Sequence, residues 1–142
     1  MSDSKTIASP MANMDEDAKI TFTRNVIAML DGWKVADGDQ VGLLGLPDDT
    51  RSRQIRSYRQ GSSTLPENDP RVNEFIDHLL GIDDALRTSN PCNAAAGGMW
   101  MNRVNKRFKD RTPLNAMLED GIISIVAVRV HLDCAYDWHI SN

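Results

Sequence analysis

Four arginines crowd one short stretch of the chain. Arg51, Arg53, Arg56 and Arg59 lie within nine residues, interleaved with Gln54 and Tyr58. A guanidinium is a planar fork that grips a phosphate or a guanine edge through two parallel hydrogen bonds, so this stretch has the chemistry to bind nucleic acid. On a helix, Arg53, Arg56 and Arg59 form one polar stripe and Ile55 points inward. A solvated helix face would carry the same charges. The charge is also uneven: residues 1–47 sum to −3, residues 48–61 to +2 and residues 62–142 to −3, within a net charge of −4. A short basic segment therefore sits in an acidic molecule.

Other reactive residue types fail to converge. His78, His131 and His139 show no HxxxH or HExxH spacing, and Cys92 and Cys134 are far apart with no CxxC. A metal site needs three or four convergent ligands, and the His131/Cys134 pair has no second pair to meet. Asp83-Asp84 has no nucleophile or base beside it. The run Ala94-Ala-Ala-Gly-Gly98 lacks the lysine and the strand context of a phosphate loop. The residues thus point to a binding protein, with no catalytic, cofactor or metal residues expected. Two separated thiols read as packing cysteines of a reduced, cytoplasmic protein. No apolar run approaches the ~18 residues of a membrane span. Residues 1–17 carry Asp15-Glu16-Asp17 and no apolar signal core, and are expected to form a disordered leader.

The elements that must position these residues read as helices. Ile20, Thr23, Val26, Ile27, Leu30 and Trp33 recur at three-to-four spacing, which predicts a first amphipathic helix with a stop at Asp31-Gly32. A second short helix is expected over 37–44, closed by Gly45. Asp48, Asp49 and Thr50 offer N-cap chemistry for a third, running through Arg59 to Gly61. Short helix, turn and arginine-rich helix together have the form of a helix-turn-helix, expected over 18–65. Further on, Asp69-Pro70, Asn90-Pro91 and Thr112-Pro113 each set a capping side chain before a proline, which predicts three helix starts. The first of these should run past Gly81 to Leu86. Trp100, Val104 and Phe108, at i, i+4 and i+8, predict a helical segment over 99–108. Residues 122–130 are rich in Ile and Val, which favours a strand by propensity. No partner strand exists elsewhere, and a lone strand leaves its backbone unpaired, so a helix is expected there, jointed at Asp120-Gly121. The fold class is all-α, a small helical bundle whose second part covers 66–142.

The chain closes on Tyr136 and Trp138, followed by His139, Ile140, Ser141 and Asn142. These aromatics either pack on the core while the tail frays, or they anchor a partner, since Tyr and Trp dominate interface hot spots. Here a resemblance enters. The run Arg111-Thr-Pro-Leu114, Met117-Leu-Glu-Asp-Gly121, Val128-Arg129 and Leu132-Asp133 resembles the toxin-binding domain of the Xre/MbcA/ParS antitoxin family. Leu79-Leu-Gly-Ile-Asp-Asp-Ala-Leu86, Trp100 and Asn105 to Phe108 fit that family's upstream helices in order and spacing, so the likeness runs from about Trp33 to Trp138.

The resemblance implies an all-helical antitoxin, with a helix-turn-helix-like N-terminal part and a C-terminal part that binds a RES-domain toxin. Such toxins consume NAD or transfer ADP-ribose from it, and the antitoxin covers the active site partly with its C-terminal end. Many such pairs repress their own operon as a dimeric DNA-binding complex, which implies operator DNA and a second copy of the chain as further partners. On this reading Arg129, Leu132, Asp133 and Tyr136 form the toxin-facing side of the last helix. Trp138, His139 and Asn142 form a contacting tail, and Arg111 is a polar anchor. The sequence departs from the family in one place. The stretch from Leu44-Gly45 to Gly61 is longer by roughly one helical turn of 3.6 residues, which brings Asp48 and Asp49 towards the DNA-facing side.

Overall fold

A computed structural model describes residues 8–141, with side chains through residue 134. The described residues form seven α-helices: α1 (Glu16–Gly32), α2 (Asp37–Leu43), α3 (Ser52–Gln60), α4 (Pro70–Ser89), α5 (Ala96–Met101), α6 (Pro113–Asp120) and α7 (Ile122–Ser141). A 3₁₀ turn covers Lys106–Phe108, and no strand occurs among the described residues. The fold is all-α. Contacts divide it into two compact units: one holds residues up to Asp31 together with Val35–Asp77, the other Gly32–Lys34 with His78–Asn142. The division falls inside α4.

In the first unit, the apolar periodicity of α1 buries Val26, Ile27 and Leu30, and α3 contributes Ile55 and Tyr58. Met11 is fully buried, so the described end of the 1–17 segment packs on this unit instead of hanging free. Residues 62–69 are also seated, because the Leu65 backbone N–H donates to the buried Thr23 hydroxyl at 3.1 Å. Gly45, at φ +71, reverses the chain after α2. Its position leaves no room for a side chain, since a Cβ there would lie 2.9 Å from the Phe75 ring.

The arginine helix begins later than the sequence suggests. Its first residue is Ser52, and Arg51 occupies the N-cap position with no side-chain cap. Asp48 and Asp49 lie in a turn before it and do not cap. Residues 44–51 therefore form a longer connection than the three or four residues of a compact helix-turn-helix.

The second unit is ordered by helix ends. Asp69 caps α4 before its Pro70, with Oδ1 accepting from the backbone of Arg71 at 3.0 Å and Val72 at 3.3 Å. Thr112 caps α6 before Pro113, accepting from Asn115 N–H at 3.0 Å. The third pair, Asn90-Pro91, behaves differently: α4 has just ended, and the Asn90 amide donates back to the Leu86 carbonyl at 3.2 Å. It closes one helix and opens none. The stretch 99–108 is likewise no single helix. α5 ends at Met101, Val104 is exposed, and the chain turns before Phe108 re-enters the core. The Ile/Val-rich stretch is helical, as the lone-strand argument predicts. Its core face is Ile125, Val128 and Leu132, and Gly121 at φ +70 makes the joint from α6. Cys92 and Cys134 are exposed, not packed.

Thr112 supplies the one side-chain acceptor seen at the start of α6. A Thr112→Ala variant should lose about 1 kcal/mol of unfolding free energy, measured by denaturant titration.

Candidate functional site

Arg111 ties the start of α6 to its end. Its Nε donates to the Phe108 carbonyl at 3.0 Å, Nη1 to Glu119 Oε1 at 2.9 Å, and Nη2 to Asp120 Oδ2 at 2.9 Å. Ser124, in the first turn of α7, donates its hydroxyl to the same Asp120 oxygen at 2.8 Å. Hydrogen bonds from Arg111, and then from Ser124, hold the Asp120 carboxyl below its ordinary range. The two carboxylates in turn push the Arg111 guanidinium upward. Its hydrogen-bonding capacity is committed to holding the α6–α7 joint, so an incoming partner meets an arginine already engaged.

On α7, Arg129 lies across the backbone of α4 at Gly81. A Cβ on that glycine would come within 2.5 Å of the guanidinium carbon. Nη1 meets His78 Nδ1 at 3.2 Å, and Nε stands 3.9 Å from the exposed Asp133. Leu132, expected on the toxin-facing side, is 8% exposed and belongs to the core. The reason is registry: it follows Ile125 and Val128 on one helix face. The side chains of Tyr136, Trp138 and His139, and Asn142 altogether, lie outside the described residues.

A different face of α7 is open. Ile123 is 77% exposed, Val130 53%, and Ala127 between them is exposed too. The spacing i, i+4, i+7 lines these three up as one apolar stripe. Beside it, His131 stacks on Trp100 with ring centres 6.1 Å apart, and both meet Phe108 edge-on. Burial in this cluster, and then the charge of Arg107, lower the His131 pKa from its usual 6.5.

The six expected DNA-binding residues of the first unit divide. Arg51, Arg53 and Arg56 are exposed and form no ion pair among the described residues. Gln54 donates to the Ser63 hydroxyl at 3.0 Å. Tyr58 is 4% exposed, one turn from the buried Ile55, so its ring packs in the core and not on the arginine stripe. Arg59 bridges Asp31 and Asp37 through bonds of 2.9 and 2.7 Å, which pins the end of α3 to the end of α1 and the start of α2. Its hydrogen bond, foremost, keeps the Asp37 carboxyl below the usual range. An open hollow of about 430 Å³ beside Arg59 is lined by Thr21, Arg24, Asn25, Ala28 and Asp31, with no nucleophile and base among them. No group of three or more His, Cys, Asp or Glu side chains converges as a metal site among the described residues.

A curated protein of Sinorhizobium fredii (strain NBRC 101917 / NGR234), "Uncharacterized protein y4oB", is 32% identical over 103 residues, covering 72% of this chain and 74% of that protein. The chain belongs to the y4oB family. No protein-family model matches it, and neither does any solved structure.

In this y4oB-family chain the stripe Ile123, Ala127 and Val130 is what the sequence reading passed over. The available signal was the absence of a polar face between Ile122 and Val128, since a helix apolar on all sides exceeds what one packed face needs.

Two outcomes follow for this site. Gly81→Ala should leave stability within about 1 kcal/mol of wild type, because the flexible Arg129 end moves aside as alanine raises helix propensity. In an Arg129→Ala background the same change should stabilise fully, by about 1 kcal/mol, and a double-mutant cycle reads the difference. The folded state resists protonating His131, so this contribution to stability is full above pH 6.5 and is lost as pH falls below it. A His131→Phe variant, followed by thermal melts across that range, should lack this decline.

Proposed function

We propose that the protein is an antitoxin, a non-enzymatic helical partner that binds a RES-domain toxin over its NAD pocket in the cytoplasm. The observation that carries the reading is the exposed stripe Ile123, Ala127 and Val130, set on the last helix of the run resembling the Xre/MbcA/ParS toxin-binding domain. An apolar helix face held in water favours burial at about 25 cal/mol per Å², so a dedicated partner is a physical explanation for its retention. The constrained α6–α7 joint supports the same reading, because a rigid surface loses little entropy when it docks. Arg129 and Asp133 flank this surface as polar contacts, and residues 136–141 continue α7 beyond it.

Co-expression with a RES-domain toxin encoded beside the gene tests this. The wild-type chain should co-purify with the toxin and restore growth. An Ile123→Asp/Val130→Asp variant, folded by circular dichroism, should weaken the complex by on the order of a hundredfold, as expected when two interface anchors of ~1–2 kcal/mol are lost. Retention of full affinity and growth rescue by that variant would reject the stripe as the contact.

Arg51, Arg53 and Arg56, exposed and with no ion pair among the described residues, favour a second activity, operator binding by a homodimer. With Arg59 committed to Asp31 and Asp37, three arginines per copy give about six phosphate contacts, hence a salt slope near −5.

A further inference from the structure

A second concentration of positive charge lies in the other unit, where averaging over residues 62–142 hides it. Residues 103–109 carry Arg103, Lys106, Arg107 and Lys109 without a carboxylate, and Asp110 is the one acid before Arg111. All four cations are exposed, and none has an ion-pair partner among the described residues. Arg107 and Lys109 act at a distance, lowering the His131 and Asp120 pKa values respectively. The acid pair next along the chain, Glu119 and Asp120, is already bonded to Arg111.

The loop carrying these charges is built, not slack. Asn105 N–H donates to the Arg111 carbonyl at 3.0 Å, and its side-chain oxygen accepts from Arg107 N–H at 2.9 Å. Phe108 is buried between Trp100 and His131, fastening the middle of the loop. Lys109 and Asp110 both hold positive φ, at 62° each, a conformation that non-glycine residues rarely adopt in succession. Like charges gathered on a fixed backbone repel one another in the free protein, and a polyanion relieves that repulsion.

We propose that this loop is a separate nucleic-acid contact, which binds the phosphate backbone of duplex DNA without reading its bases. The inference is independent of the toxin-binding reading and of the arginines on α3. Lysine is depleted at protein interfaces, whereas phosphate binding requires only accessible cations. Single-stranded nucleic acid would want a free aromatic platform, but Trp100 and Phe108 are engaged with each other and with His131.

The test is fluorescence anisotropy of a labelled random-sequence duplex against the full-length protein over a series of KCl concentrations. Four proteins are compared: wild type, an R103Q/K106Q/R107Q/K109Q loop variant, an R51Q/R53Q/R56Q helix variant, and a variant that combines the two sets. The loop variant should lose on the order of tenfold or more in affinity at low salt, and its salt slope should flatten by up to about 3.6, four contacts at 0.9 each. This loss should also appear when the two sets of changes are combined, beyond that of the helix variant alone. Lys106 and Lys109 of the unaltered protein should become protected from acetylation when duplex is added, a readout that does not depend on a variant folding. Unchanged binding by the loop variant, unprotected lysines, or tighter capture by phosphatidylserine vesicles than by duplex at equal salt would each overturn the proposal. Failure here leaves toxin co-purification untouched, so the two readings fail separately.

Discussion

Helix ends are the constraint on which this structure turns. Every α-helix leaves four N–H groups and four carbonyls without internal partners, and short helices spend a large share of their backbone that way. Four helices among the described residues have nine residues or fewer: α2, α3, α5 and α6. Isolated helices of that length are marginal in water, so their order must come from termini and packing. Thr112 and Pro113 start α6, and Gly121 ends it at a φ that a side chain would resist. Arg111 then spans the helix from outside, from the Phe108 carbonyl to Asp120. Shift that joint, and the registry of α7, with its buried and its exposed apolar faces, shifts with it.

The same accounting separates the arginines by task. Arg59 and Arg111 each satisfy two carboxylates and bind helix ends together; Arg129 lies on the Gly81 backbone and meets His78. Exposed ion pairs of this kind add little stability singly, but a forked bond to two elements fixes their angle as well as their distance. Arg51, Arg53, Arg56, Arg103 and Arg107 have no such ion pair among the described residues. In a molecule of net charge −4, cations gathered in two places and left to solvent are the ones available to an outside anion.

Much of this was legible in the chain. The apolar spacing of α1 and α4, the Asp69-Pro70 and Thr112-Pro113 starts, and the turn at Gly121 are local effects, and local signals predict them well. Asn90-Pro91 carries the same signature, yet it closes α4, because the Asn90 side chain reaches back to Leu86 before the proline can open a helix. Trp100, Val104 and Phe108 have helical spacing, but Asn105 pairs with Arg111 and breaks the segment. That pairing is tertiary and leaves no periodic trace. Tyr58 was placed on a surface for its company of arginines and Leu132 by the family resemblance, and both lie in cores by registry. Arg59 was assigned to DNA because its two acidic partners, Asp31 and Asp37, are remote in sequence. Site residues are harder to read than elements because side-chain commitment depends on neighbours that the linear pattern does not name.

The two apolar faces of α7 finally bear on each other. Ile125, Val128 and Leu132 bury one face in the second unit, and that burial fixes the helix whatever else happens to it. Ile123, Ala127 and Val130 are then held in water by a helix that cannot rotate to hide them, since turning one stripe inward would turn the other out. An exposed stripe on a mobile segment could collapse onto the nearest apolar surface. On a helix seated by its opposite face and jointed at Gly121, the stripe keeps its shape and spacing until a complementary surface arrives. The fold's own packing therefore preorganises the stripe that the proposed function gives to a toxin, and on that proposal the stability of the second unit and the affinity of the stripe are set by the same helix.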